Sequence, residues 1–156
     1  MAKLVLVMGD LATGKSTFSK ILSQRYNVSV FNKDTIKEVL GDTIGFSNRE
    51  ENLKLSKATA QLMLFIFEEF CKLNKPLILE SNFHKEELER FKDIAKKYNY
   101  DVLILVLRGN VNILHKRFLN RIKNENRHSV HLSVSFDELD DFKNYIEKLR
   151  REELCG

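Results

Sequence analysis

The eight residues Gly9-Asp10-Leu11-Ala12-Thr13-Gly14-Lys15-Ser16 constrain this chain more than any other stretch. They form the pattern G-x-x-x-x-G-K-S, with an apolar run, Lys3 to Met8, before them and residues 15–25 after them. The run reads as a buried parallel strand, and 15–25 as a helix with Phe18, Ile21 and Leu22 on one face. A strand, a glycine-bounded loop and a helix in that order form a cradle for phosphate. Glycines allow the backbone to wind with its N–H groups pointing inward, and the helix start adds positive potential. Lys15 is expected to reach the β- and γ-phosphates of a nucleotide, and the Ser16 hydroxyl to ligate Mg²⁺, with Thr17 supporting the same helix end. Gly9 through Thr17, including Asp10, Leu11, Ala12 and Thr13, are therefore the candidate nucleotide-binding residues.

The rest of the chain continues the alternation of strand and helix. Val28 to Phe31 reads as a second strand, Asp34 to Leu40 as a helical turn closed by Gly41, and residues 41–48 as a loop. Asn48 to Leu73 carries Leu55, Leu62, Ile66, Phe70 and Leu73 near every fourth residue. Met63, Phe65 and Phe67 widen that arc, so a long, mostly buried helix is expected, ended by Asn74-Lys75-Pro76. Leu77 to Glu80 reads as a third strand. Residues 85–98 read as an amphipathic helix with Leu88, Phe91, Ile94 and Ala95 inward. Asp101 to Leu107 has the strongest strand pattern, residues 111–124 form a basic helix, and 136–153 form a charged one. Ser129–Val134 alternates apolar and polar residues and fits a strand or a lid loop equally. The expected fold is α/β, in three layers: a mostly parallel sheet of four to five strands with helices on both faces. With 156 residues and no linker or repeat, one domain over 1–156 is expected.

Composition excludes several classes. A hydrophobic content of 43% is too high for disorder, and no window of about 18 apolar residues could span a membrane. Met1 to Asp10 has no small-residue cleavage site and reads as part of the fold, not a leader. Cys71 and Cys155 make no disulfide framework and suit a reducing, cytoplasmic setting. The net charge is +4, and residues 115–127 alone carry five bases against Glu125. The positive charge is thus local, as an anion site requires. His84, His115, His128 and His131 show no zinc spacing.

A GTPase would need Asn-Lys-x-Asp late in the sheet. Here Asn32-Lys33-Asp34 is one residue too short and follows the second strand, and no Asp-x-x-Gly follows the third. A kinase fits better. In open parallel sheets ligands sit beyond the carboxyl ends of the strands, where Asp34 and Glu80 fall. Asp34 fits a helix cap and also a base for an acceptor hydroxyl. Glu80, ending an apolar strand, needs a partner, and holding a Mg²⁺ water shell would supply one. Arg117 and Arg121 share a helix face and could neutralise a moving phosphoryl group, an effect worth about 10³–10⁵ in rate.

The phosphate loop, Asn32-Lys33-Asp34-Thr35-Ile36-Lys37, Leu79-Glu80-Ser81-Asn82-Phe83 and the Arg117/Arg121 pair together resemble the small P-loop kinases. That group includes polynucleotide 5′-hydroxyl kinases, zeta-toxin-like kinases and chloramphenicol phosphotransferases. The resemblance implies ATP and Mg²⁺ as cofactors and Asp34 as the general base. It implies acceptor contacts from Lys37, where arginine is usual, and from Asn82. It puts Glu80 at the end of the third strand, beside the metal and acceptor, and Arg117, Arg121, Arg127 and His128 in a lid. The group usually has a fifth strand after the lid. Here Ser129–Val134 supplies it, or the sheet stops at four strands, or the domain is truncated. The expected activity is transfer of the γ-phosphoryl group of Mg-ATP to a hydroxyl. With Phe118 as the only aromatic residue in the basic segment, a small-molecule acceptor is favoured over a nucleic acid. Polynucleotide 5′-hydroxyl transfer is the alternative, and a non-catalytic nucleotide-binding module the rival. No stable protein partner is evident.

Overall fold

The computed structural model describes residues 2–10 and 13–124, with 143, 144 and 147; for 111, 118 and 121–124 it describes the backbone. Four parallel strands stand in the order β2-β3-β1-β4: β1 (Lys3–Gly9), β2 (Val30–Asn32), β3 (Leu77–Glu80) and β4 (Asp101–Leu107). All three pairings are parallel, with Val7 opposite Glu80 and Gly9 opposite Leu107. The helices are α1 (Lys15–Tyr26), α2 (Lys33–Ile44), α3 (Arg49–Lys72), α4 (Lys85–Lys97) and α5 (Val111–Asn124). This is the expected α/β architecture, with four strands among the described residues. The Ser129–Val134 segment, the candidate fifth strand, lies outside the described residues. So does most of 136–153, of which residues 143, 144 and 147 are helical.

Alternation along the strands divides the core between two faces. Leu4, Leu6, Met8, Leu77 and Leu79 form one buried cluster with Met63, Leu64, Phe67 and Cys71 of α3 and Leu88, Phe91 and Ala95 of α4. Phe67 packs edge-on against Tyr100, and Phe83 against Phe91. The Tyr100 hydroxyl reaches the carbonyls of Phe70 and Lys75, at 3.0 and 2.9 Å, tying the end of α3 to the start of β4. Val7 and Ile78, from the alternate positions, are also fully buried.

Four features correct or refine the reading of the sequence. First, β2 is Val30–Asn32, two residues later at its start than the apolar run suggested: Val28 and Ser29 lead into the sheet, and of the two Ser29 meets it through its carbonyl, which accepts from the Ile78 N–H at 3.0 Å. Second, Gly41 does not close α2. The helix continues to Ile44 and ends at Gly45, whose φ of 81° suits a glycine cap, while Gly41 is buried within the helix. The loop is correspondingly shorter than 41–48. Third, the face of α1 that carries Phe18 and Ile21 is not its buried one: they are 37% and 59% exposed. Its buried residue is Ser19, whose hydroxyl bonds to the Lys15 carbonyl at 2.7 Å. A small side chain lets α1 approach the strands closely. Fourth, α3 is not buried all round: Asn52, Leu55, Thr59, Met63, Leu64, Phe67 and Cys71 face inward, while Leu62, Phe65 and Leu73 are exposed. An apolar arc wider than one helix face exceeds what a single sheet surface can cover.

Candidate active site

The phosphate loop forms where β1 meets β4. Gly9 has φ 135°, and a Cβ there would lie 2.0 Å from the Leu107 carbonyl oxygen. The Asp10 N–H then donates to that same carbonyl at 2.8 Å. Asp10 is buried, and its carboxylate accepts from the Gly109 N–H at 3.1 Å. Its side chain therefore fastens the loop to the segment after β4. Thr13 donates to the Asp10 carbonyl at 2.8 Å, and Gly14 takes a left-handed conformation, φ 83°, at the start of α1. Leu11 and Ala12 lie outside the described residues, and Thr17 is exposed on the first turn of α1.

Lys15 is folded back over its own loop. Its ammonium donates to the Gly9 carbonyl at 2.8 Å, the Asp10 carbonyl at 3.3 Å and Asn82 Oδ1 at 3.3 Å. Asn82 Oδ1 also accepts from the Gly9 N–H at 3.2 Å. Asn82, just past β3, is thereby brought to the floor of the loop.

Beside the loop, Glu80 is 3% exposed. The Ser16 hydroxyl donates to it at 3.0 Å, and the Asn32 side-chain amide donates both to it and to Ser16 Oγ. Burial is the largest influence on Glu80 and pushes its carboxyl above the ordinary range; the Ser16 bond and Lys15 oppose this, and Asp34 adds to it. A buried carboxylate in that condition, next to a hydroxyl, offers hard oxygen donors suited to Mg²⁺. The expected Ser16–Glu80 pair is thus brought together. Asn32, which sequence reading gave no individual role, joins the two to the next element. Its Oδ1 accepts from the Asp34 N–H at 2.7 Å, capping α2. An Asn before a helix, two residues ahead of a candidate base, was the available signal.

Asp34 is exposed on the first turn of α2, close enough to Glu80 to influence its charge. Lys37 lies one turn on. Burial lowers its ammonium below the ordinary range, with Asp34 opposing and Lys33 reinforcing the effect. Arg117 is exposed on α5, and Arg121 lies on the same helix one turn further. Arg127 and His128 lie outside the described residues. His115 is buried in α5, and no cluster of three metal-ligating side chains occurs among the described residues.

A parallel sheet with a phosphate loop on its central strand, a buried carboxylate beside the loop serine and an acidic helix start two strands away defines a kinase-like P-loop domain. A family profile described as an AAA domain matches residues 5–142, and the chain belongs to that family. The likeness extends to solved structures. One, a "putative kinase" from Chloroflexus aurantiacus J-10-fl, superposes with a TM-score of 0.83 at 26% identity, over 92% of this chain and 79% of that one. Another is a chain of a Pnkp1/Rnl/Hen1 RNA repair complex, with a TM-score of 0.67 at 16% identity, over 99% of this chain and 46% of that one. It shares the fold. No curated protein matches the sequence. These findings agree with the resemblance to small P-loop kinases.

Proposed function

We propose that this protein is an ATP-dependent kinase that transfers the γ-phosphoryl group of Mg-ATP to an acceptor hydroxyl. One observation carries the reading: Ser16, Glu80, Asn32 and the Asp34 backbone form a continuous hydrogen-bonded chain. That chain links a metal-suited pair to the helix start bearing a candidate base. A module that merely held a nucleotide would have no use for such a link.

Bound Mg-ATP supplies the transferable group and the divalent charge that offsets it. Lys15 and the N–H groups at the start of α1 hold the phosphates. Ser16, with help from Glu80, would hold the Mg²⁺, whose charge would offset that of the phosphates. Asp34 orients the acceptor hydroxyl and accepts its proton. Arg117 and Arg121 add positive charge to the transferring group, while Lys37, Asn82 and Arg127 are assigned to the acceptor side. Positioning and electrostatics do most of the work in such reactions, so the shared framework matters more than any one group.

The test uses γ-labelled Mg-ATP with pooled alcohols: 5′-hydroxyl oligonucleotides, nucleosides, sugars and chloramphenicol-like compounds. Lys15→Ala is expected to abolish transfer. Asp34→Asn is expected to lower transfer by about 10²–10⁴ and leave ATP affinity unchanged, as loss of a general base does. Equal loss of ATP binding in Asp34→Asn refutes the base assignment. Tight ATP binding with no transfer to any pool refutes the kinase.

A further inference from the structure

A cavity of about 430 Å³, in the size range of small-ligand sites, opens beside the candidate acceptor side. It is bounded by the start of α2, the start of α4 and the first half of α3. Two of these boundaries adjoin the proposed machinery. Lys33 precedes Asp34, and His84 stands two residues after Asn82, the partner of Lys15. The cavity thus lies at the carboxyl ends of β2 and β3, where open parallel sheets bind ligands.

Its third wall is one face of α3. Leu53, Lys54 and Lys57 line it, at helical spacing. Leu53 is 52% exposed, a large apolar side chain turned out of the core into this space. The charge is uneven. Lys33 is engaged by Glu87 at 3.8 Å, and Glu87 also accepts from the His84 N–H at 3.2 Å. Of the lining residues this leaves Lys54, which also feels Glu51 of its own helix, and Lys57, with Glu50 as the other carboxylate. Lysines act on phosphate as point charges, and their stems add apolar surface.

We infer that the acceptor is a phosphate-bearing alcohol, its phosphate held by Lys54 and Lys57 and its apolar body lying on Leu53. This rests on the kinase reading and narrows its substrate class. The same chemistry belongs to a free phosphorylated small molecule and to an oligonucleotide end. Apart from the transfer itself no bond changes: the acceptor's own phosphate is bound and unaltered.

The test compares matched acceptors with γ-labelled Mg-ATP: adenosine with adenosine 3′-monophosphate, glycerol with glycerol 3-phosphate, and a 5′-hydroxyl pentanucleotide. The wild type is expected to prefer the phosphorylated member of a pair by about tenfold or more in kcat/KM, as a charge-assisted contact allows. Lys54→Ala/Lys57→Ala is expected to bring that ratio close to one with ATP affinity unchanged. Preference for the pentanucleotide over both monophosphates assigns the phosphate to a polymer, and the reverse to a small molecule. No preference in any pair, or a preference that survives the double substitution, overturns the inference. If no acceptor is labelled, the kinase reading fails separately. Binding of adenosine 3′-monophosphate to protein saturated with Mg and a non-hydrolysable ATP analogue then decides the cavity. Binding about tenfold weaker in the double variant supports the phosphate site, and equal binding refutes it.

Discussion

At the scale of single residues, Asn32 and Glu80 form the joint between loop and acceptor side. Asn32 caps α2 through Oδ1 and donates to Glu80 and Ser16 through Nδ2, so its two ends do separable jobs. Asn32→Ser keeps a capping oxygen but is too short for the second job. Stability should fall by less than about 1 kcal/mol, whereas Asn32→Ala should cost about 1–2 kcal/mol in denaturant melts. Both should lower phosphoryl transfer with little change in ATP affinity. If Asn32→Ser transfers as fast as wild type, the joint is only a cap. Glu80 gives a pH prediction with a definite sign. Its folded-state carboxyl is raised by burial, so its effect on stability is most favourable below the ordinary value of 4.5 and is lost as pH rises through the raised value. Glu80→Gln should therefore gain on wild type in denaturant midpoint as pH rises above 4.5, in metal-free protein. Its Mg²⁺ requirement should rise by about 10–100-fold, the usual effect of disturbing an outer metal contact. A midpoint difference independent of pH refutes this account of Glu80.

At the scale of elements, the two glycines of the phosphate loop are required for different reasons. Gly9 sits where β1 runs against Leu107, with backbone in the way of any side chain. Gly14 has a left-handed φ but open space around its Cβ position. Gly9→Ala should thus destabilise the sheet by about 4 kcal/mol or more, as unrelievable overlap in a core does. Gly14→Ala should cost about 1–2 kcal/mol, the left-handed penalty, and remain folded. Circular dichroism melts of the two variants check the contrast, and similar midpoints would refute it. The motif showed that glycines were needed, but the sequence did not show that one serves strand packing and the other the helix start. Strand and helix order was legible for the same reason the motif was: each element carries a local period or a local breaker. What misled was partnership. The apolar arc of α1 is visible in Phe18 and Ile21, yet Ser19 is the residue that α1 buries. Gly41 looked like a stop, yet it sits inside a helix whose end is set by Gly45. The acidic and amide residues at strand ends were legible as candidates. That Asn82 floors the loop, or that Asp10 turns toward Gly109, depends on contacts 73 and 99 residues apart.

At the scale of the whole molecule, the core between the sheet and helices α3 and α4 ends at a pair of ionisable groups, Cys71 and Tyr100. Burial pushes the Cys71 thiol up to about 11, from an ordinary 9.0; Glu68 adds to this, and a hydrogen bond with Tyr100 opposes it. The Tyr100 hydroxyl is raised too, chiefly by burial and then by Cys71. Both groups remain protonated in the folded chain after they would ionise in the unfolded one. For a pKa raised on folding, stability is fully present below the unfolded value and is lost as pH rises through the folded value. Global stability should therefore hold to about pH 9, and Cys71 alone should remove about 2 kcal/mol by pH 11. Urea denaturation at pH 8, 9.5 and 11 measures the loss. Lysine and exposed tyrosine titrations are common to wild type and Cys71→Ala, so subtracting one curve from the other leaves the thiol together with the part of the Tyr100 shift that Cys71 causes. The variant starts lower, because a buried side chain has been shortened, but its curve should fall by about 2 kcal/mol less over that range. Parallel curves would mean that the thiol ionises as readily folded as unfolded, and that the α3 end of the core admits water. Alkylation makes the same distinction without unfolding the protein: at pH 8 the native Cys71 thiolate should be about 100-fold scarcer than that of a free cysteine, and its labelling slower by at least that factor.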